Sequence, residues 1–304
     1  MTMRGPAGEI GRGSDPTIPL PYRDLPVPGG RVTSTGGAPV GRGRASPGHR
    51  PAARDRRHHR GRRLAGRAAI AAVMLVLLAA VAFGGLMIVT PSAGNARELA
   101  QAQDAAHHVA YPGPAVPARF AAALTATEDR RFYSEPGIDP LAVGRVAISF
   151  VTGHGIQGGA TLYQQLAKLL YTHGRSSLLD EAEQVALAAK LYLTYPSQQI
   201  LQMYSAVVYF GNGYYGLAGA SCGYFGVPPA ELSWPQAAML AGLVQGPSMD
   251  DPMTHPANAR AREVHVVGRL VATGKLTQAE ANAALAVPLQ RLIAGAGQGC
   301  SAGG

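Results

Sequence analysis

The sequence predicts a mainly helical domain carried behind one membrane-spanning helix. Three observations lead there. Residues 68–90 form an uncharged run of 23 residues rich in Ile, Val, Leu, Met and Phe. Beyond residue 117, apolar residues recur at spacings of three and four, punctuated by Pro, Gly and Ser/Thr cap signals. No stretch alternates apolar and polar residues for long enough to build a sheet.

Each part of the chain follows in order. Residues 1–67 hold 14 Arg against Glu9, Asp15, Asp24 and Asp55, with abundant Gly and Pro and few aliphatics. That composition predicts a solvated, unstructured cytoplasmic tail. The whole chain of 304 residues carries a formal charge of +9, so its basic character sits in this tail and the remainder is near neutral. A folded domain that grips nucleic acid through a basic face is therefore excluded. The run over 68–90 would span about 34 Å as a helix, enough for a bilayer. Arg62, Arg63 and Arg67 precede it and only Arg97 follows closely. The positive-inside rule then leaves the N-terminus in the cytoplasm and the rest outside. The run is too long for a cleaved signal peptide, so it reads as a signal anchor.

Residues 91–115 read as a linker ending near Pro112, Pro114 and Pro117, and residues 116–290 as the folded domain. Helices are expected over 117–133, 140–151, 160–171, 178–194 and 197–209, the last two parted by Pro196. Ser233 is placed as the N-cap of a helix through Val244. Thr277 with Glu280 makes a capping box for 278–286. Residues 291–304 read as a flexible C-terminal tail.

Two short patterns invite misreading. Gly211-Asn-Gly213-Tyr-Tyr-Gly216 fits G-x-G-x-x-G, but nothing before it reads as a strand, so a glycine turn is expected. Gly219-Ala-Ser221-Cys-Gly223 fits G-x-S-x-G, but small residues at close spacing mark tight helix packing, and the Asp250 and His255 that follow lie five residues apart in a Pro-rich loop. The histidines show no i, i+4 pair, so no metal site is expected. Cys222 and Cys300 are too few for a disulfide scaffold. An exported domain permits them to pair, and the sequence leaves that open.

The chemistry concentrates in two segments. Thr127-Glu128-Asp129-Arg130-Arg131-Phe132 puts two carboxylates at a helix end beside apolar residues, where burial raises a carboxyl pKa and suits acid/base work. Gly158-Gly159-Ala-Thr161-Leu-Tyr-Gln164-Gln165-Leu-Ala-Lys168 is a glycine loop opening a helix. Thr161, Gln165 and Lys168 fall on one face, offering neutral donors and one cation to a phosphate or a sugar.

Together these segments resemble the peptidoglycan glycosyltransferases, the transglycosylase module of class A penicillin-binding proteins and their monofunctional relatives. The family's first motif resembles E-D-x-x-F-x-x-H-x-G, matched by Glu128, Asp129, Phe132 and Gly137. Its second resembles G-G-S-T-x-x-Q-Q-x-x-K, matched by Gly158, Gly159, Thr161, Gln164, Gln165 and Lys168. Tyr209-Phe-Gly-Asn-Gly-Tyr-Tyr-Gly216 and Ala241-Gly-Leu-Val-Gln245-Gly-Pro247-Ser248 are similar to two further family stretches. The resemblance covers about residues 115–290. It implies a lysozyme-like helical glycosyltransferase domain with a small membrane-proximal jaw. It also implies an inverting reaction that joins units of lipid-linked disaccharide (lipid II) to a growing glycan strand and releases undecaprenyl diphosphate. In that reading Glu128 is the base. Asp129, Thr161, Gln164, Gln165, Lys168 and Arg175 bind substrate.

The sequence departs from the family in a third motif, R-K-x-x-E. Here the stretch reads Asp180-Glu181-Ala-Glu183-Gln184, so two cations become acids and the carboxylate position holds Gln184. Glu183 is the nearest replacement for the second catalytic carboxylate, with Gln184 beside it at the substrate. Acids near a diphosphate are unfavourable unless a divalent cation, magnesium or manganese, bridges them. No cofactor is otherwise implied. Two functions are expected to compete: an active transferase, or a weakened relative that binds lipid-linked substrate or scaffolds cell-wall synthesis proteins. A glycan-cleaving muramidase is a third and weaker reading.

Overall fold

The computed structural model describes residues 53–134, 160–297 and Cys300. The chain divides into a unit of residues 1–58 and a unit of residues 59–304. The expected helix over 140–151 and the glycine loop before Ala160 lie outside the described residues.

Helix α1 runs Ala53–Val89. It begins inside the stretch expected to be an unstructured tail. Past Pro51 there is no proline until Pro91, and Arg and Ala both favour helix. Its part Ala69–Val89 is long and apolar enough to cross a membrane, with mean hydropathy 2.8. At its end, Lys190 Nζ donates to the carbonyls of Thr90 at 2.7 Å and Pro91 at 2.9 Å. A cation at a helix C-terminus both satisfies orphan carbonyls and opposes the helix dipole.

The expected linker is instead built structure. A short 3-10 turn, Ala93–Asn95, leads into α2, Ala96–Ala106. Ala93, Ala96 and Ala100 are buried in the main core. Their spacing is helical, but methyl side chains give little hydrophobic signal, which is why the segment reads as a linker.

The other helices are α3 Ala118–Glu128, α4 Leu162–Leu170, α5 Leu178–Thr194, α6 Ser197–Val207, α7 Gly216–Phe225, α8 Trp234–Leu243, α9 Pro256–Ala272, α10 Gln278–Leu285 and the short α11 Leu289–Leu292. Pro196 separates α5 from α6, and the capping boxes at Ser233 and Thr277 are formed. Helices α9 and α11 have no counterpart in the sequence reading, α7 appears there only as a close-packed stretch of small residues, and α3 stops at Glu128, short of the expected end at 133. Among the described residues there is no β-strand, only a bridge between Tyr209 and Tyr215.

Helix α3 packs on α8 and α9, and α4 packs on α5 and α6. Phe120, Leu124, Leu162, Leu166, Leu187, Ile200, Tyr204, Leu240 and Leu270 fill one continuous apolar core. The G-x-G-x-x-G segment is a turn, as expected. At Gly211 φ is +91°, and an added Cβ would lie 2.3 Å from the Pro247 carbonyl oxygen. Ser221 is buried within α7 and donates to the Val227 carbonyl at 2.6 Å, which disposes of a nucleophile elbow.

The expected loose C-terminus is fastened to α7. Cys222 and Cys300 form a disulfide with Cα atoms 5.1 Å apart. The Gly297 N–H donates to the Gly223 carbonyl at 3.1 Å. Gly295 passes so close that a Cβ there would meet the Phe225 carbonyl oxygen at 2.2 Å. Only glycine allows the two backbones to touch in this way.

Candidate active site

Glu128 is the last residue of α3, and the chain turns away immediately after it. Asp129 leaves the helical region with φ −152°, ψ 82°. Its Oδ2 accepts the Leu162 N–H at 3.0 Å, and Thr161 Oγ1 accepts the Gln164 N–H at 3.1 Å. The first turn of α4 thus receives acceptors from both motifs. Asp129 and Thr161 were expected at the substrate; this Asp129 oxygen joins the end of α3 to the start of α4, and the Thr161 hydroxyl caps α4.

That joint brings Gln165 to Glu128. Gln165 Nε2 donates to Glu128 Oε2 at 3.1 Å and to the Ala160 carbonyl at 3.3 Å. Buried Tyr204 on α6 donates to Gln165 Oε1 at 2.7 Å. Tyr204 therefore fixes which way the amide faces, and the amide fixes the carboxylate. Burial pushes the Glu128 carboxyl above its ordinary range. The Gln165 bond opposes this, then the charges of Arg262 and His265; Asp129 adds to it. A half-buried carboxylate with an elevated pKa is a suitable proton acceptor near neutral pH.

Gln164 and Lys168 lie on the same short helix and are half-buried. Lys168 is an electrostatic neighbour of Glu181, whose carboxyl burial pushes up and Lys168 draws back. Glu181 Oε2 is buried without a hydrogen-bond partner. Of the α5 acids, Glu181 is thus the one that senses the Gln165–Lys168 face. Glu183 is half-buried. Asp180 is spoken for: it closes the capping box with Ser177 and pairs with Arg175 at 3.2 Å. That pairing holds the exposed Arg175 guanidinium, expected at the diphosphate, over the start of α5.

Gln184, expected beside the substrate, is buried instead. Its Nε2 donates to Thr172 Oγ1 at 2.8 Å and to the Arg175 carbonyl at 2.9 Å, pinning the loop between α4 and α5. A carboxylate cannot donate to that carbonyl. Gln184→Glu is therefore expected to cost about 1–3 kcal/mol of stability, read by denaturant unfolding. Unchanged stability would show that the two bonds do not hold the loop.

Among the described residues, no group of three or more His, Cys, Asp or Glu is placed to hold a metal ion.

Sequence reasoning missed Tyr204, Arg262 and His265. Tyr204 is hidden by looking like a core residue. Arg262 and His265 are hidden because α9 was not recognised as a helix.

Comparisons with known proteins show which family the chain belongs to. The transglycosylase family profile matches residues 95–271. Penicillin-binding protein 1A of Aquifex aeolicus is 37% identical over 175 residues, covering 57% of this chain and 24% of that one. A Cupriavidus necator protein named as a candidate transglycosylase is 32% identical over 175 residues, covering 58% of this chain and 76% of that one. Penicillin-binding protein 2a of Streptococcus pneumoniae is 40% identical over 152 residues, covering 50% of this chain and 20% of that one. The chain thus spans a quarter or less of the two penicillin-binding proteins and three quarters of the shorter relative. The match starts at residue 95, so α2, in the stretch expected to be a linker, falls within the family domain. With helical architecture, Glu128 and its Gln165 partner in view, the chain belongs to the transglycosylase family.

Proposed function

We propose that this protein is a membrane-anchored peptidoglycan glycosyltransferase that polymerises lipid II into glycan strands and releases undecaprenyl diphosphate. The observation that carries the reading is Glu128, half-buried, oriented by Gln165 and Tyr204, with its carboxyl pushed above the ordinary range. In the reaction Glu128 accepts the proton of the acceptor's sugar hydroxyl. That oxygen forms a bond to the donor's anomeric carbon from the face opposite the diphosphate. The bond from carbon to the diphosphate oxygen breaks, its electron pair leaves with the lipid diphosphate, and the anomeric configuration inverts. Lys168 and Gln164 supply charge and donors to the leaving group.

The location follows from α1. The apolar stretch Ala69–Val89 suits a single membrane pass, with Arg62, Arg63 and Arg67 on its cytoplasmic side. The Cys222–Cys300 disulfide suits an oxidising compartment outside the cytoplasm. Lys190, capping the end of α1, would hold the domain at the membrane surface where lipid-linked substrate lies.

The second reading, a weakened relative that binds substrate or scaffolds cell-wall proteins, is favoured by the acids at 180 and 181 and by Gln184. Full-length protein in detergent micelles with fluorescent lipid II separates the two. Polymer that a muramidase digests supports the transferase. Tight binding with no chain growth, with magnesium or manganese present, supports the second reading and overturns the first.

A further inference from the structure

The apolar stretch of α1 ends at Val89, and the residues that follow meet the last turns of α5. Lys190 Nζ donates to the Thr90 and Pro91 carbonyls at 2.7 Å and 2.9 Å, so this end of α5 is fastened to the chain where the apolar stretch stops. An open cavity of about 440 Å³ lies at the joint. Ile88, Thr90 and Ser92 stand on one side of it, and Lys190, Leu193 and Thr194 on the other.

Its lining has an apolar part and a polar part. Ile88 is 84% exposed and Leu193 75% exposed, two large aliphatic side chains that the domain leaves uncovered. Grouped exposure of this kind marks a surface that meets something apolar. Tyr192, next to Leu193, is exposed as well, and such amphipathic rings gather at membrane interfaces. In the polar part, an ammonium has three N–H donors and Lys190 spends two on carbonyls. None of the described residues lining the cavity is acidic, and among the described residues no carboxylate pairs with Lys190. Thr90 and Thr194 give their hydroxyl protons to the Leu86 and Lys190 carbonyls, each at 2.7 Å. Ser92 Oγ accepts the Gly94 N–H at 3.2 Å and keeps its own proton to donate. One N–H of Lys190 and the Ser92 hydroxyl are therefore left for an acceptor, and the local charge is positive. An anion with an apolar tail fits both parts.

We propose that this cavity seats an anionic phospholipid of the outer leaflet, with its phosphate at Lys190 and Ser92 and its acyl chain along Ile88 and Leu193. This rests on the reading of α1 as a single membrane pass with its C-terminal end outside the cytoplasm. Thr90 directly follows the apolar stretch, so the cavity lies at the depth of the headgroups. The bound lipid would fix the height and tilt of the domain over the bilayer, because it bridges α1 and α5.

The test counts lipids on full-length protein released from detergent micelles, by native mass spectrometry, with phosphatidylglycerol or phosphatidylcholine of the same chains added. Wild type is expected to retain phosphatidylglycerol about fivefold better than phosphatidylcholine, the effect of one cation at a membrane surface. Lys190→Gln should erase the preference and Lys190→Arg should keep it. Leu193 is exposed, so Leu193→Gln should fold; it should lower retention of both lipids by about threefold and leave the preference unchanged. Equal retention of the two lipids by wild type, or a preference that survives in Lys190→Gln, would overturn the proposal. Displacement by millimolar inorganic phosphate would overturn it too, since the site would then hold a free anion. Undecaprenyl diphosphate retained ahead of phosphatidylglycerol would give the cavity to the substrate lipid and likewise overturn it. Carbonate washing of membranes tests the underlying reading separately. A protein that resists the wash but shows no lipid preference keeps its membrane pass and loses the lipid site. A protein that the wash releases, yet that prefers phosphatidylglycerol through Lys190, keeps the site and loses the pass.

Discussion

Glu128→Gln is expected to lower the polymerisation rate constant roughly a thousandfold while leaving lipid II binding within a few-fold of wild type. The split between the two parameters is the informative part. The amide keeps the size of the side chain and can still meet Gln165, whose own orientation is fixed by Tyr204. Gln164 and Lys168, proposed to meet the leaving group, are untouched. The variant loses the ability to take the hydroxyl proton, and that matters only on the way to the transition state. A comparable fall in binding would show instead that Glu128 holds substrate. Polymerisation at the wild-type rate would remove it from the chemistry.

Breaking the Cys222–Cys300 disulfide is expected to cost about 4 kcal/mol, because the bond closes a loop of 78 residues in the unfolded chain. For a domain of this size that is on the order of a 10 °C fall in Tm. The loop contains α8, α9 and α10, so the loss should be felt by the helices that pack beside Glu128 and not only by the C-terminus. Cys222→Ser with Cys300→Ser, compared with wild type under oxidising and reducing conditions, reads this directly. Equal Tm values for oxidised and reduced wild type would mean that glycine packing between Gly295 and α7 suffices without the bond.

The sequence made some of this architecture plain and hid the rest for definite physical reasons. Helices α4, α5 and α6 announce themselves through large aliphatics at helical spacing and through Pro196, which cannot continue a helix. Glu128 at a helix end was legible for the same reason. Helix α2 was not, since alanine faces pack well but signal weakly. In α9 the buried Ala259, Val266, Val267 and Leu270 are spaced correctly, but Arg260, Arg262, Glu263, His265 and Arg269 crowd between them and Pro252 and Pro256 suggest a loop. Without α9, the cations beside Glu128 had no visible place.

The third motif teaches a different lesson. Alignment by resemblance put a catalytic carboxylate at Gln184 or its neighbour Glu183. Side-chain direction decides otherwise for Gln184, whose amide faces Thr172 and the Arg175 carbonyl. Glu181, not singled out as a site residue, is the acid in electrical contact with Lys168. Such pairings depend on how two helices cross, which spacing along one helix does not encode. Asp129 and Thr161 show the converse: residues that belong to motifs, yet whose oxygens hold α4 in place.

The most direct test of the account is the pH dependence of kcat/KM for lipid II polymerisation by the full-length protein. Glu128 must be ionised to accept a proton, and burial raises its pKa, so activity should fall on the acid side with a midpoint above the ordinary glutamate value of 4.5. The stability term has the matching sign. A raised carboxyl pKa favours the fold most at low pH and loses that contribution as pH rises through the folded value, so the acid loss of activity should precede any acid unfolding. An acid limb above 4.5 in a still-folded protein is the expected result. A rate that stays flat down to pH 4.5, or falls only as the protein unfolds, would contradict Glu128 as the base.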